Sequence, residues 1–260
     1  MSQRHLYLAD AAIMQVRTTV LAVREMPDGQ AVAVQDNLHR PAGGGEPADR
    51  GEIILNDGSA FAVKQVFKID SHTWVTISGR DHAIASGMPV VARLDADYRT
   101  HKSKLHTLIH VVLAVTVRKL PSFSVEVADI SMDAGDALVV GSWSEPVSAN
   151  QVAEIDAEVR SIVLQSRSVT IEKAKSLDHA RERFGTLFRL SDRYQLSGRL
   201  RVVHIDQTDA NPCSGTHVAT TGVGPYEMIR ETKDYGINQL AIRLRLTNCW
   251  MYWYGGGLNH

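Results

Sequence analysis

The strongest constraint on this chain is a change of apolar period close to Asp95. On the N-terminal side, apolar residues recur in short alternating runs separated by turn residues. TTVLAVREMPDGQAVAVQD carries two such runs around Pro27-Asp28-Gly29, and GEIILNDGSAFAVKQVFKID carries two more around Asn56-Asp57-Gly58. HTWVTIS and PVVARLD complete the set. A period of two places successive side chains on opposite faces of a strand, and the Asp-Gly steps supply backbone suited to hairpin turns. Strands this short and this closely spaced predict a small barrel or sandwich.

Beyond Asp95 the pattern changes. From about Arg99 to Leu120 the apolar spacing is helical, and Pro121 ends it. FSVEVADI and DALVVGSWS read as strands. Ser148 to Lys175 reads as a helix opened by a Ser148/Gln151 capping box, followed by a second helix from Ser176 to about Leu190. GRLRVVHID, YEMIRET and QLAIRLRL read as strands, with a loop leading from the first into PCSGTHV. The expected class is α+β: a small N-terminal β-barrel over residues 1–95, then an α/β domain with an antiparallel sheet and helices over residues 96–260. A chain of 260 residues that is 44% hydrophobic can bury a core in each.

The bulk properties exclude some functions. The formal net charge is −1, so any contact with nucleic acid must come from local basic patches. Two cysteines, Cys213 and Cys249, do not make a disulfide framework. The N-terminus lacks the pattern of a secretory leader. The longest apolar run, Val111 to Val117, is interrupted by Thr116 and too short for a membrane span. A cytoplasmic protein is expected.

Two short motifs carry metal chemistry. In HTLIH, His106 and His110 lie one helical turn apart and project from one face, where two imidazoles can share an ion. No Glu follows His106, so the protease pattern with its general base is missing. In CSGTH, Cys213 and His217 offer a thiolate and an imidazole from a glycine-containing loop. Together they make a set of nitrogen and sulfur donors suited to Zn²⁺. Four ligands suit a closed structural site, while a catalytic site keeps a position open, and the motif fits either. A third motif, Gly43-Gly44-Gly45-Glu46-Pro47-Ala48-Asp49, reads as a flexible loop or as backbone that lets a ligand approach closely.

Taken in order, these motifs resemble the editing module of alanyl-tRNA synthetase and its freestanding relatives, the alanyl-tRNA editing proteins. GGGEPADRG resembles the family's GGGQPxDxG, HTLIH resembles HTAxH, LRVVHI resembles RVVxI, and PCSGTHVATTG resembles CGGTHV followed by TG. The resemblance spans roughly Val16 to Leu246, with Glu46 in place of Gln and Ser214 in place of Gly. It implies a barrel-like N-terminal domain followed by a zinc-containing editing domain. The implied activity is hydrolysis of the ester joining serine or glycine to the tRNA for alanine. The implied metal ligands are His106, His110, Cys213 and His217. Gly43, Gly44, Gly45 and Asp49 are implied near the substrate pocket. The related editing domain of bacterial threonyl-tRNA synthetase shares the metal pattern, so serine on threonine tRNA is an alternative substrate. A tRNA-binding protein of the same fold without activity is another.

Within that expectation, Thr107 and Thr216 are the hydroxyl groups beside the metal ligands, placed to read a serine side chain. Arg99, Lys102 and Lys104, with Arg118 and Lys119, are candidate phosphate contacts, as are Arg181, Arg183, Arg189 and Arg193 further on. tRNA is the expected partner and Zn²⁺ the expected cofactor.

Overall fold

The computed structural model describes residues 2–27, 29–78, 84–121, 123–124, 130–133, 135–189, 196–231 and 239–247. The chain forms two compact units, Met1–Ser103 and Lys104–His260.

The first unit holds strands β1 (Arg4–His5), β2 (Gln15–Met26), β3 (Gly29–Val34), β4 (Asp36–Asn37), β5 (Gly51–Ile54), β6 (Ala60–Ile69), β7 (His72–Ser78) and β8 (Pro89–Leu94). Of these, β2-β3-β7-β6-β5-β8 close into an antiparallel barrel. Closure depends on β2 serving two partners. Gln15 to Thr19 pair with β8, Val20 to Met26 pair with β3, and the register shifts between Val20 and Ala22. Such a bulge bends the strand and lets one ribbon turn a barrel corner. The inward positions Val20, Val32, Val34, Ile53, Val75, Ile77, Val90 and Ala92 are buried as one core.

Helix α1 (Ala96–Lys119) follows. Asp95 starts it, its side chain accepting the Tyr98 N–H at 3.0 Å. Asp97 lies in its first turn and Arg118 and Lys119 in its last, matching the helix dipole. From Tyr98 to Thr116 nearly every position is buried or half-buried.

The second unit has β9 (Ile130–Met132), β10 (Asp136–Ser142), α2 (Ala149–Leu164), β11 (Val169–Ala174), α3 (Leu177–Phe184), β12 (Leu200–Ile205), β13 (Asp209–Pro212), β14 (Tyr226–Arg230) and β15 (Gln239–Leu246). They form a four-stranded antiparallel sheet β14-β15-β10-β9 and a three-stranded antiparallel sheet β11-β12-β13. Leu105, Leu108, Ile109, Val112 and Val115 of α1 pack with Ile155, Val159 and Ile162 of α2 and Leu240, Ile242 and Leu244 of β15. Among the described residues, no helix is long and apolar enough to cross a membrane. The expected strand FSVEVADI lies partly outside the described residues, at 125–129, as do Arg193 and Cys249.

The α+β class and the N-terminal barrel match expectation, but two helices are shorter than their sequence pattern. The capping box is formed, Ser148 accepting from the Gln151 N–H and the Gln151 side chain from the Ser148 N–H. The helix nevertheless ends at Leu164, not Lys175. Ser166 takes a positive φ of 48°, which stops it, and Val169–Ala174 becomes a strand paired with β12. Val169 and Ile171 alternate with Thr170 and Glu172 in a β-favouring way that a helical reading absorbs. The next helix stops at Phe184 because Gly185 turns into the left-handed region, φ 54°.

Candidate metal centre

Two elements deliver the centre. Helix α1 supplies His106 and His110, one turn apart. The loop after β13 supplies Cys213 and His217. The β12–β13 hairpin sets the position of Cys213: its N–H donates to the Arg201 carbonyl at 3.2 Å, and the Arg201 guanidinium donates back to the Cys213 carbonyl. The donor atoms of His106, His110, Cys213 and His217 all lie within 4.8 Å of one another. The sulfur is 3.5 Å from His217 Nε2 and 3.7 Å from His106 Nε2. The three histidines are buried and Cys213 is half-buried.

The outer nitrogens are held from behind. His110 Nδ1 lies 3.0 Å from Asp209 Oδ2. His217 Nδ1 lies 3.1 Å from the Thr107 hydroxyl, which also accepts the Val218 N–H at 3.3 Å. Thr107, expected as a substrate-facing hydroxyl, is 0% exposed and engaged with His217. Thr216 is also fully buried.

Burial opposes ionisation of Cys213, but His106, with His110 and His217, outweighs it and holds the thiol well below its usual range. Burial likewise disfavours a charged His110, yet Asp209 and Cys213 on its two sides raise its pKa to about 10. His217, buried and facing two other imidazoles, is pushed down to about 3. The four donors thus meet at one point, with Asp209 and Thr107 on their outer side. A borderline-soft cation bound by imidazole and thiolate fits that donor set, so the residues fit Zn²⁺.

The glycine loop belongs to a different cluster, inside the first unit. Gly43 and Glu46 exchange backbone hydrogen bonds of 3.0 and 3.2 Å, and Gly44 and Gly45 between them take φ of 62° and 79°. Two consecutive left-handed residues make a turn that L side chains resist. Gly43 and Gly44 are exposed, whereas Glu46 and Asp49 are buried. Asp49 Oδ1 accepts from Arg99 Nε and from Lys102 Nζ, both at 2.8 Å, and Lys102 Nζ also reaches Glu46 Oε1 at 3.0 Å. Arg40 Nε lies 3.4 Å from Glu46 Oε2. Burial alone would raise the Asp49 pKa, and Arg99 and Lys102 hold it below the usual carboxylate range. Asp49, Arg99 and Lys102 are therefore placed differently from the sequence expectation. At 1% exposure each, the two cations have no face free for RNA, and their charge is matched within the unit.

Of the remaining expected basic contacts, Lys104 and Arg189 are half-buried, while Arg118, Lys119, Arg181 and Arg183 are exposed. Arg118 and Lys119 pair with Glu158, and Arg183 pairs with Glu172 at 2.8 Å. Sequence reasoning missed Asp209 and Asn211. Their signal was the alternation Asp209, Asn211, Cys213, which puts three polar side chains on one face of an extended segment.

No protein-family model matches the chain. Its relatives include the alanine–tRNA ligase of Pyrococcus abyssi, 31% identical over 229 residues, which cover 87% of this chain and 24% of that protein. The alanine–tRNA ligase of Methanopyrus kandleri is 28% identical over 235 residues, covering 89% of this chain and 25% of that protein. The alanyl-tRNA editing protein AlaX-L of Pyrococcus horikoshii is 27% identical over 227 residues, covering 86% of this chain and 53% of that protein. The chain thus spans about a quarter of the ligases and about half of the editing protein.

Proposed function

On its similarity to alanine–tRNA ligases and to an alanyl-tRNA editing protein, we propose that the chain belongs to the alanyl-tRNA synthetase editing-domain family and is an aminoacyl-tRNA deacylase. Its substrate would be tRNA for alanine wrongly charged with serine or glycine, and the bond broken the ester to the terminal ribose. The observation that carries the chemistry is the convergence of His106, His110, Cys213 and His217, with all donor atoms within 4.8 Å. These four would hold Zn²⁺. Bound by this set, Zn²⁺ supplies Lewis acidity, used on a water or on the substrate's α-amino group.

The protein's own groups do the rest. Thr107 steadies His217 through its Nδ1. Thr216, the neighbour of His217, would read the serine hydroxyl. A site that satisfies a hydroxyl rejects alanine, whose methyl leaves polar groups unpaired. The exposed turn at Gly43, Gly44 and Gly45 would meet the substrate through backbone N–H groups. Lys104, Arg118 and Lys119 would contact phosphates, making affinity fall with salt. The protein would work in the cytoplasm, where tRNA is charged.

The test is serine release from serine-charged alanine tRNA, with and without a chelator, against correctly charged alanine tRNA. Chelator-sensitive release that spares alanine is the expected result. If folded, zinc-loaded protein releases nothing from that tRNA or from serine-charged threonine tRNA, the deacylase reading falls and tRNA binding alone remains.

A further inference from the structure

The β12–β13 hairpin does more than deliver Cys213. Asp209, Asn211 and Cys213 follow one another at every second position, so the extended segment turns all three to one face. Asp209 is 1% exposed and presents Oδ2 to His110 Nδ1 at 3.0 Å. Asn211 Nδ2 donates to both oxygens of the same carboxylate, at 2.8 and 2.9 Å. A buried carboxylate needs partners for its lone pairs, and here Asn211 and His110 supply them. An imidazole whose Nδ1–H donates to a carboxylate keeps the Nε2 lone pair for the opposite side, and its ring orientation is fixed.

We propose that Asp209 and Asn211 are positioning residues for the metal centre: Asn211 fixes the Asp209 carboxylate, and Asp209 locks His110 with Nδ1–H outward and Nε2 toward Cys213. The inference rests on the zinc reading of the four donors and extends it to a relay, Asn211 to Asp209 to His110. The relay orders the ring before any ion arrives. It also explains why ligand and support travel together in sequence: one strand carries Asp209, Asn211 and, just past its end, Cys213.

The test uses the full chain, with Zn²⁺ affinity measured by competition with a chromophoric chelator. Far-UV circular dichroism checks folding. Wild type should bind one Zn²⁺, and His106→Ala should bind far more weakly. Asp209→Ala should weaken Zn²⁺ by about 100-fold and Asp209→Asn by about 10-fold, the range for loss of an outer partner of a metal-bound histidine. Asn211→Ala should have a smaller effect in the same direction, and Asp209→Glu should restore part of the loss. Nitrogen-15 imidazole spectra of the zinc-loaded protein give a readout that a merely structural role would leave unmoved. His110 should show a protonated Nδ1 in wild type and lose that signature in Asp209→Ala. Unchanged affinity and an unchanged His110 signature in a folded Asp209→Ala protein would overturn the relay while leaving the metal site standing. A wild type that binds no Zn²⁺, or a His106→Ala that binds as well, would remove the metal reading and the relay with it.

Discussion

Helix α1 contributes to two buried polar clusters, one in each unit, and they are built on opposite principles. In the first unit, Arg99 and Lys102 meet Asp49 and Glu46, and Arg40 joins Glu46. Anions and cations alternate there, and hydrogen bonds satisfy them internally. In the second unit, the ligand atoms of three histidines and a cysteine face one another, while Asp209 and Thr107 stand behind. In the first cluster every buried charge has an opposite charge of the protein beside it. The second gathers nitrogen and sulfur ligand atoms at one point. Burial and polarity therefore do not by themselves mark a binding site. The sign and direction of the groups do: paired charges hold a fold, and convergent donors hold a ligand.

The sharpest way to break that comparison is to remove a donor. Cys213→Ser should lower Zn²⁺ affinity beyond the roughly 100-fold expected for loss of an outer partner, with the thermal stability of the first unit unchanged. Chelator competition and differential scanning calorimetry read the two quantities separately. Retention of wild-type affinity would contradict the convergence argument.

The next effect is on stability alone. Asp49→Ala leaves Arg99 and Lys102 buried without their shared acceptor, which should cost about 3–5 kcal/mol in urea unfolding of the first unit. Zn²⁺ affinity should stay at its wild-type value. A large loss of metal binding would show that the clusters are not separable.

The smallest of the three is a pH effect beside the first cluster. His39 is 0% exposed and both its ring nitrogens lack a hydrogen-bond partner. Burial, opposed by Asp49 and reinforced by Arg99 and Lys102, lowers its pKa from 6.5 to about 4. The unfolded chain takes up this proton more readily than the folded one. Its contribution is thus fully present above pH 6.5 and is lost as pH falls through about 4, a loss of about 3 kcal/mol by linkage. His39→Leu should flatten the acid limb of the stability–pH curve between those values. An unchanged limb would assign the acid loss to the carboxylates instead.

Local patterning carried much of the architecture. The alternating runs before Asp95 and the helical spacing after Arg99 depend on which face each residue buries, a property written into neighbouring positions. HTLIH and CSGTH were legible as candidate ligand pairs because ligand spacing follows from backbone geometry. The Ser148/Gln151 box was legible for the same reason. The helix end at Leu164 was not, because the segment from Val169 to Ala174 owes its strand form to pairing with β12. Nor was the contrast between the cations of α1. Arg99, Lys102 and Lys104 look alike in sequence, and only the fold buries the first two against Asp49 and Glu46. The alternating runs of the barrel, the starts of the helices and the pairing of four candidate donors were written in the chain, since periodicity and spacing are local. Tertiary structure alone decided which charges are spent on one another and which donors converge, since a partner 50 or 99 residues away is brought close only by the folded chain.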